Sequence, residues 1–131
     1  MRRKIAAYMI SLVIPGRLVG LNEYTYACRK NPHAGAHMKK EQGEIVSLCI
    51  QKQCKGMRFE EPVNIDFKWI ERNGRRDPDN ISGFGRKVIL DALVTEGVLK
   101  DDSFTWVKGF TDTFEVDKDN PRIEVSIRAS K

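Results

Sequence analysis

The sequence predicts a single α+β domain spanning residues 1–131, with about four strands in a mixed sheet packed against two main helices. Three patterns carry that prediction. Val63, Ile65, Phe67 and Trp69 alternate with Asn64, Asp66 and Lys68, the period of a half-buried strand. Ile123, Val125, Ile127 and Ala129 alternate with Glu124, Ser126 and Arg128 in the same way. Between these runs, Ile81, Val88, Ile89, Ala92 and Leu93 recur at helical spacing.

A chain of 131 residues buries one core, and 40% hydrophobic with 31% charged residues is ordinary for a globular domain. No repeat, low-complexity tract or linker divides it. The 23 Lys and Arg against 18 Asp and Glu give a net charge of +5 and a pI near 9.2. That balance suits a nucleic-acid partner, although the same charge spread evenly is only a solvated surface. Cys28, Cys49 and Cys54 are odd in number and form no C-x-x-C pair, so they read as reduced thiols of a cytoplasmic protein, neither a disulfide frame nor a zinc site. His33 and His37 can share a helix face but have no ligand partner at metal spacing.

Met1-Arg2-Arg3-Lys4 followed by an apolar run from Ile5 to Ile14 has the outline of a short signal peptide. No small-x-small cleavage site follows, and the run is too short to span a bilayer, so no membrane association is expected. Tyr8 to Ile14 reads instead as a strand closed by a Pro15-Gly16 turn. Residues 15–37 are expected to be an irregular basic loop, with Arg17, Asn22, Arg29, Lys30 and His33 interleaved with Tyr24 and Tyr26. Such a loop can lie along a sugar-phosphate backbone or be plain surface. From Met38 to Gln53, Ile45, Leu48, Cys49 and Lys52 fall at helical spacing, and Gly56 ends the helix. After the strand of residues 63–69 comes the densest chemistry in the chain.

That stretch is Arg75-Arg76-Asp77-Pro78-Asp79-Asn80, continued through Lys87 and Asp91 to Lys100-Asp101-Asp102. Pro78 fixes its own φ and pushes Asp77 towards an extended conformation, at the mouth of a helix expected from Asn80 to Glu96. Gly83 and Gly85 predict an irregular first turn, and Gly97 predicts the stop. On a helix wheel Asn80, Lys87 and Asp91 lie within about 40° of one another. Lys87 suits a phosphate or a developing negative charge, while Asp91 is either its i, i+4 partner or a support. Carboxylates from two turns beside one helix form the hard, oxygen-rich pocket that Mg²⁺ or Mn²⁺ prefers. A mixed-face strand carrying Trp106, Lys108, Phe110, Asp112 and Phe114, a polar turn at residues 117–121 and the final strand complete the chain.

The ordered series Asp77-Pro78-Asp79-Asn80, then Lys87 with Asp91-Ala92-Leu93, then Gly97-Val98-Leu99-Lys100-Asp101-Asp102, resembles the signature of the RusA family of Holliday junction resolvases. The resemblance extends to a strand ending near Pro15, to Asn22 and to the closing strand, so it covers most of the chain. It implies a homodimeric endonuclease, dependent on Mg²⁺ or Mn²⁺, that cuts four-way DNA junctions. By position, the catalytic residues implied are Asp77, Asp79, Lys87 and Asp102, with the three aspartates as metal ligands. Asn80, Asp91 and Asp101 are expected to support them. Arg17, Asn22, Arg75 and Arg76 are expected to meet the DNA backbone. The stretch from Asn80 to Lys87 runs about four residues longer than the family pattern, close to one helical turn, so a longer helix keeps Lys87 on the same face. Two other readings fit the acids: a non-catalytic branched-DNA-binding module in which they are caps and turns, or a metal-dependent nuclease for flaps or RNA hybrids.

Overall fold

The computed structural model describes residues 5–130; the basic run Met1–Lys4 lies outside them. In chain order the elements are β1 (Ile5–Ala6), β2 (Met9–Pro15), α1 (Leu21–Lys30), α2 (Pro32–Gln53), β3 (Met57–Arg58), β4 (Val63–Glu71), α3 (Pro78–Ser82), α4 (Gly85–Thr95), β5 (Val107–Val116) and β6 (Arg122–Ala129). The main sheet runs β2-β6-β4-β5, and β1 pairs with β3 in a short parallel ribbon. The pairs β2–β6 and β6–β4 are antiparallel, and β4–β5 is parallel, so the sheet is mixed as expected. A parallel neighbour requires a crossover, and α3 and α4 form it.

Period-2 alternation in β2, β4 and β6 sends Leu12, Ile14, Ile65, Phe67, Trp69, Ile123, Val125 and Ile127 to one buried face. Val46 and Ile50 of α2 and Val88, Ile89 and Leu93 of α4 join them in one core. The other face is polar: Ser11, Ser126, Asp66 and Thr111 stand side by side across all four strands. Thr111 Oγ1 donates to Asp66 Oδ1 at 2.6 Å, and this bond, chiefly, holds the Asp66 carboxyl below its usual range.

Two expectations are corrected. Residues 15–37 are not an irregular loop: α1 occupies Leu21–Lys30 and α2 begins at Pro32. Leu21 and Tyr24 pack on the core while Ala27 is the buried residue of α1, and Asn31 caps α2 by accepting the Ala34 N–H at 2.8 Å, with Pro32 in the first helical position. Nor do Ile45 and Leu48 belong to the packing stripe of α2, although Cys49 does. The buried residues of this helix are Gly35, Val46 and Ile50, with Cys49 half-buried against the core, while Ile45 and Leu48 are exposed. Polar groups on α2 add to its seating: Gln42 Oε1 accepts the Val19 N–H, and Gln53 bonds both the N–H and the C=O of Val13 on the edge strand β2.

Candidate active centre

Glu71 ends β4, and the chain turns through Arg72–Arg76 into α3. Asp77 is the extended residue before this helix, at φ −72° and ψ 152°, with Pro78 in the first helical position. This is the conformation expected from Pro78. Asp77 and Asp79 both stand exposed at the start of the helix. The predicted irregularity occurs at Gly83 and Phe84, where the helix divides, yet both residues keep right-handed helical angles. The extra residues between Asn80 and Lys87 are therefore a helical turn, with Lys87 on the first turn of α4.

Lys87 is the meeting point. Its Nζ lies 3.1 Å from Asp91 Oδ1 and 3.5 Å from Asp102 Oδ2, so it ties α4 to the loop after it. Lys39 of α2 reaches the other oxygen of Asp91 at 3.4 Å. The hydrogen bond that Lys87 donates to Asp91, joined by the pull of both carboxylates, raises the Lys87 pKa above the ordinary lysine value and outweighs partial burial. Asp101 is exposed beside half-buried Asp102. A groove of about 760 Å³ opens between α2 and α4, lined among others by Lys39, Lys40, Leu48, Val88 and Asp91.

Asn80 reaches α1 rather than Lys87 or Asp91 with the hydrogen bond its side chain accepts. Its Oδ1 accepts the backbone N–H of Asn22 at 2.8 Å and so caps α1, whose own N-cap is Gly20. Tyr24 stacks on Phe84 with ring centroids 4.1 Å apart, which holds α1 against the break between α3 and α4. Arg76 is not an open surface cation. Its Nε and Nη2 donate to the two oxygens of Glu71 at 2.9 and 2.8 Å, and Nη1 donates to Leu18 C=O at 3.2 Å. Arg75 and Arg17 are exposed, and Arg17 lines a small surface cavity with Arg72.

Sequence reasoning did not single out Arg72, Lys39 or Arg86. Arg86 stacks over Phe110 at 4.5 Å and is paired with Asp112, whose other oxygen accepts Trp69 Nε1–H at 2.8 Å. It pins the start of α4 to the sheet one residue before Lys87. Its signal in the sequence was Asp112, an acid between Phe110 and Phe114 on the core-side register of the strand.

The donors Asp77, Asp79 and Asp102 are hard oxygen ligands, which suits Mg²⁺ or Mn²⁺. Among the described residues, no three His, Cys, Asp or Glu side chains are grouped closely enough to hold an ion. Mg²⁺ is ordinarily bound through one or two carboxylates with substrate phosphate and water completing the shell, so the donor set fits without a preformed three-acid cage. Compared with known proteins, the chain matches no protein-family model and no curated protein.

Proposed function

We propose that the protein is a metal-dependent, structure-specific endodeoxyribonuclease that resolves four-way DNA junctions by paired nicks as a homodimer. The observation that carries this reading is Lys87, which contacts Asp91 and Asp102 and so joins two segments of the motif. One or two of Asp77, Asp79 and Asp102, with substrate phosphate and water, would hold Mg²⁺ or Mn²⁺; a bound divalent ion activates water and neutralises a phosphate oxygen. Lys87, kept as an ammonium, balances charge at the scissile phosphate, and Asp91 orients it. Arg75, Arg17 and Arg72 supply exposed positive charge for the backbone, which gives affinity without base specificity. A two-fold dimer would place two such centres on one junction, matching paired cuts on opposing strands.

The second reading, a branched-DNA-binding module without catalysis, is favoured by one observation: Asp91 and Asp102 already have a lysine partner. A labelled synthetic four-way junction separates the two. Paired nicks with Mg²⁺ or Mn²⁺, binding alone in EDTA, and loss of cutting but not binding in Asp79→Asn are expected. Binding without cutting by the wild type in divalent metal overturns the nuclease. Faster cutting of flaps or RNA hybrids than of junctions moves the substrate elsewhere.

A further inference from the structure

Two residues beyond Asp102, the chain makes a tight turn in which both Trp106 N–H and Val107 N–H donate to Ser103 C=O at 2.9 Å. The tip of that turn is Phe104, 81% exposed and the most exposed large apolar side chain among the described residues. Lone exposed apolar residues are common and need no function. This one has a setting. Lys108 Nζ sits 4.9 Å from the Phe104 ring centroid, and Lys100 Nζ sits 4.9 Å from the Trp106 ring centroid. The loop carrying Asp101 and Asp102 thus presents one exposed ring, Phe104, with the Lys108 ammonium on its face, beside half-buried Trp106, whose Lys100 is also paired with Glu60 at 3.5 Å. Aromatic rings beside positive charge are what an unpaired nucleobase and its phosphate require: the ring stacks on the base and the lysine meets the backbone. A protein partner would gain little from a single phenyl ring ringed by lysines and aspartates, since interface cores are depleted of charge.

Resting on the nuclease reading above, we infer that Phe104 stacks on a base exposed at the DNA branch point, next to the strand that Asp102 faces. The turn is closed by backbone bonds, so its backbone needs no ordering at binding. Because Phe104 buries little in the free protein, its removal spares the fold.

The test measures binding in EDTA to a four-way junction carrying 2-aminopurine at the branch point, with a linear duplex of the same length alongside. Phe104→Ala is expected to weaken junction binding about ten-fold, leave duplex binding unchanged and abolish the fluorescence change. Phe104→Trp is expected to restore both signals. Wild-type and Phe104→Ala proteins that bind the labelled junction alike, with the same fluorescence change, overturn the inference and leave the nuclease reading standing. A Phe104→Ala protein whose sedimentation shows a changed oligomeric state also overturns it, by assigning the ring to a second copy of the chain. Failure of the wild type to bind any branched DNA sinks the nuclease reading itself.

Discussion

The side-chain oxygen of Asn80 caps α1 by accepting the backbone N–H of Asn22, 58 residues away in sequence, at 2.8 Å. An N-cap is usually local; here the cap residue of α1 is Gly20, which has no side chain, and Asn80 supplies the acceptor from α3. A Cβ on Gly20 would come within 2.7 Å of Asn80 Oδ1, so the glycine makes the space that the cap uses. The motif residue Asn80 thus fastens the N-terminal helix beside the candidate centre. Asn80→Ala should lower stability by about 1 kcal/mol in urea denaturation, and Asn80→Asp should keep most of it. Gly20→Ala should lose a similar amount. Together Gly20→Ala and Asn80→Ala should lose less than the sum, because each removes the same bond. Strict additivity would show that the two positions are independent.

Arg76 and Arg75 are neighbours with opposite fates. The Arg76–Glu71 pair has side chains only 12% and 9% exposed, and the guanidinium also bonds Leu18 C=O. Removing one member leaves a charge stranded in a poorly solvated place. Arg76→Ala should therefore destabilise by about 3 kcal/mol, whereas Arg76→Met combined with Glu71→Leu should come close to neutral. Arg75→Gln should leave the melting temperature unchanged while reducing the salt slope of DNA binding by about 1. A stable Arg76→Ala protein that binds DNA weakly would reverse the assignment.

Strand periods were legible because sheet faces alternate strictly: Val63 to Trp69 and Ile123 to Ala129 read directly as they fold. The stop at Gly97 was equally legible, since its φ of +77° favours glycine, and Val98 N–H closes back on Leu93 C=O. The helical hairpin of α1 and α2 was not. Tyr24, Arg29 and Lys30 look like loop residues on composition, and Asn31–Pro32 is the one local start signal in this stretch. At the candidate centre the Lys87–Asp91 pair was visible as an i, i+4 spacing. The long-range partners were not: Asn22 for Asn80 and Lys39 for Asp91 depend on how the crossover lies on the sheet, which no local pattern encodes.

Gly85 shows the same limit from the packing side. A Cβ there would lie 3.0 and 3.1 Å from ring carbons of Trp69, a side chain that is itself fully buried. The glycine lets the first turn of α4 sit on the indole. Helix propensity alone predicts that Gly85→Ala stabilises, whereas overpacking against a rigid ring predicts a loss of about 1–3 kcal/mol. The loss should win. Gly43, in the middle of α2, is the control, because nothing lies within 4 Å of a Cβ built there. Gly43→Ala should stabilise by about 1 kcal/mol. Matched denaturation curves for the two variants check both signs, and a stabilised Gly85→Ala would mean that α4 can slide away from Trp69.

Lys87 allows a prediction of sign with pH. Its pKa is raised in the folded protein, first by the hydrogen bond it donates to Asp91 and then by the charges of Asp91 and Asp102. A raised pKa means that folding favours the ammonium. The contribution to stability is therefore fully present below the unfolded-state value near 10.5 and fades as pH climbs through the higher folded value. Between about pH 6 and 9 the group does not titrate, so Lys87 acts on phosphate as a fixed cation and not as a general base. Direct NMR titration of the Lys87 ε-carbon should place its midpoint above the ordinary lysine value, and Asp91→Asn should move it down. In junction cleavage, Lys87→Arg should keep the shape of the wild-type pH profile, and Lys87→Met should lower it at every pH. A wild-type rise in rate with a midpoint below about 9 that vanishes in Lys87→Arg would mean that Lys87 gives up its proton at working pH, against the pull of both aspartates.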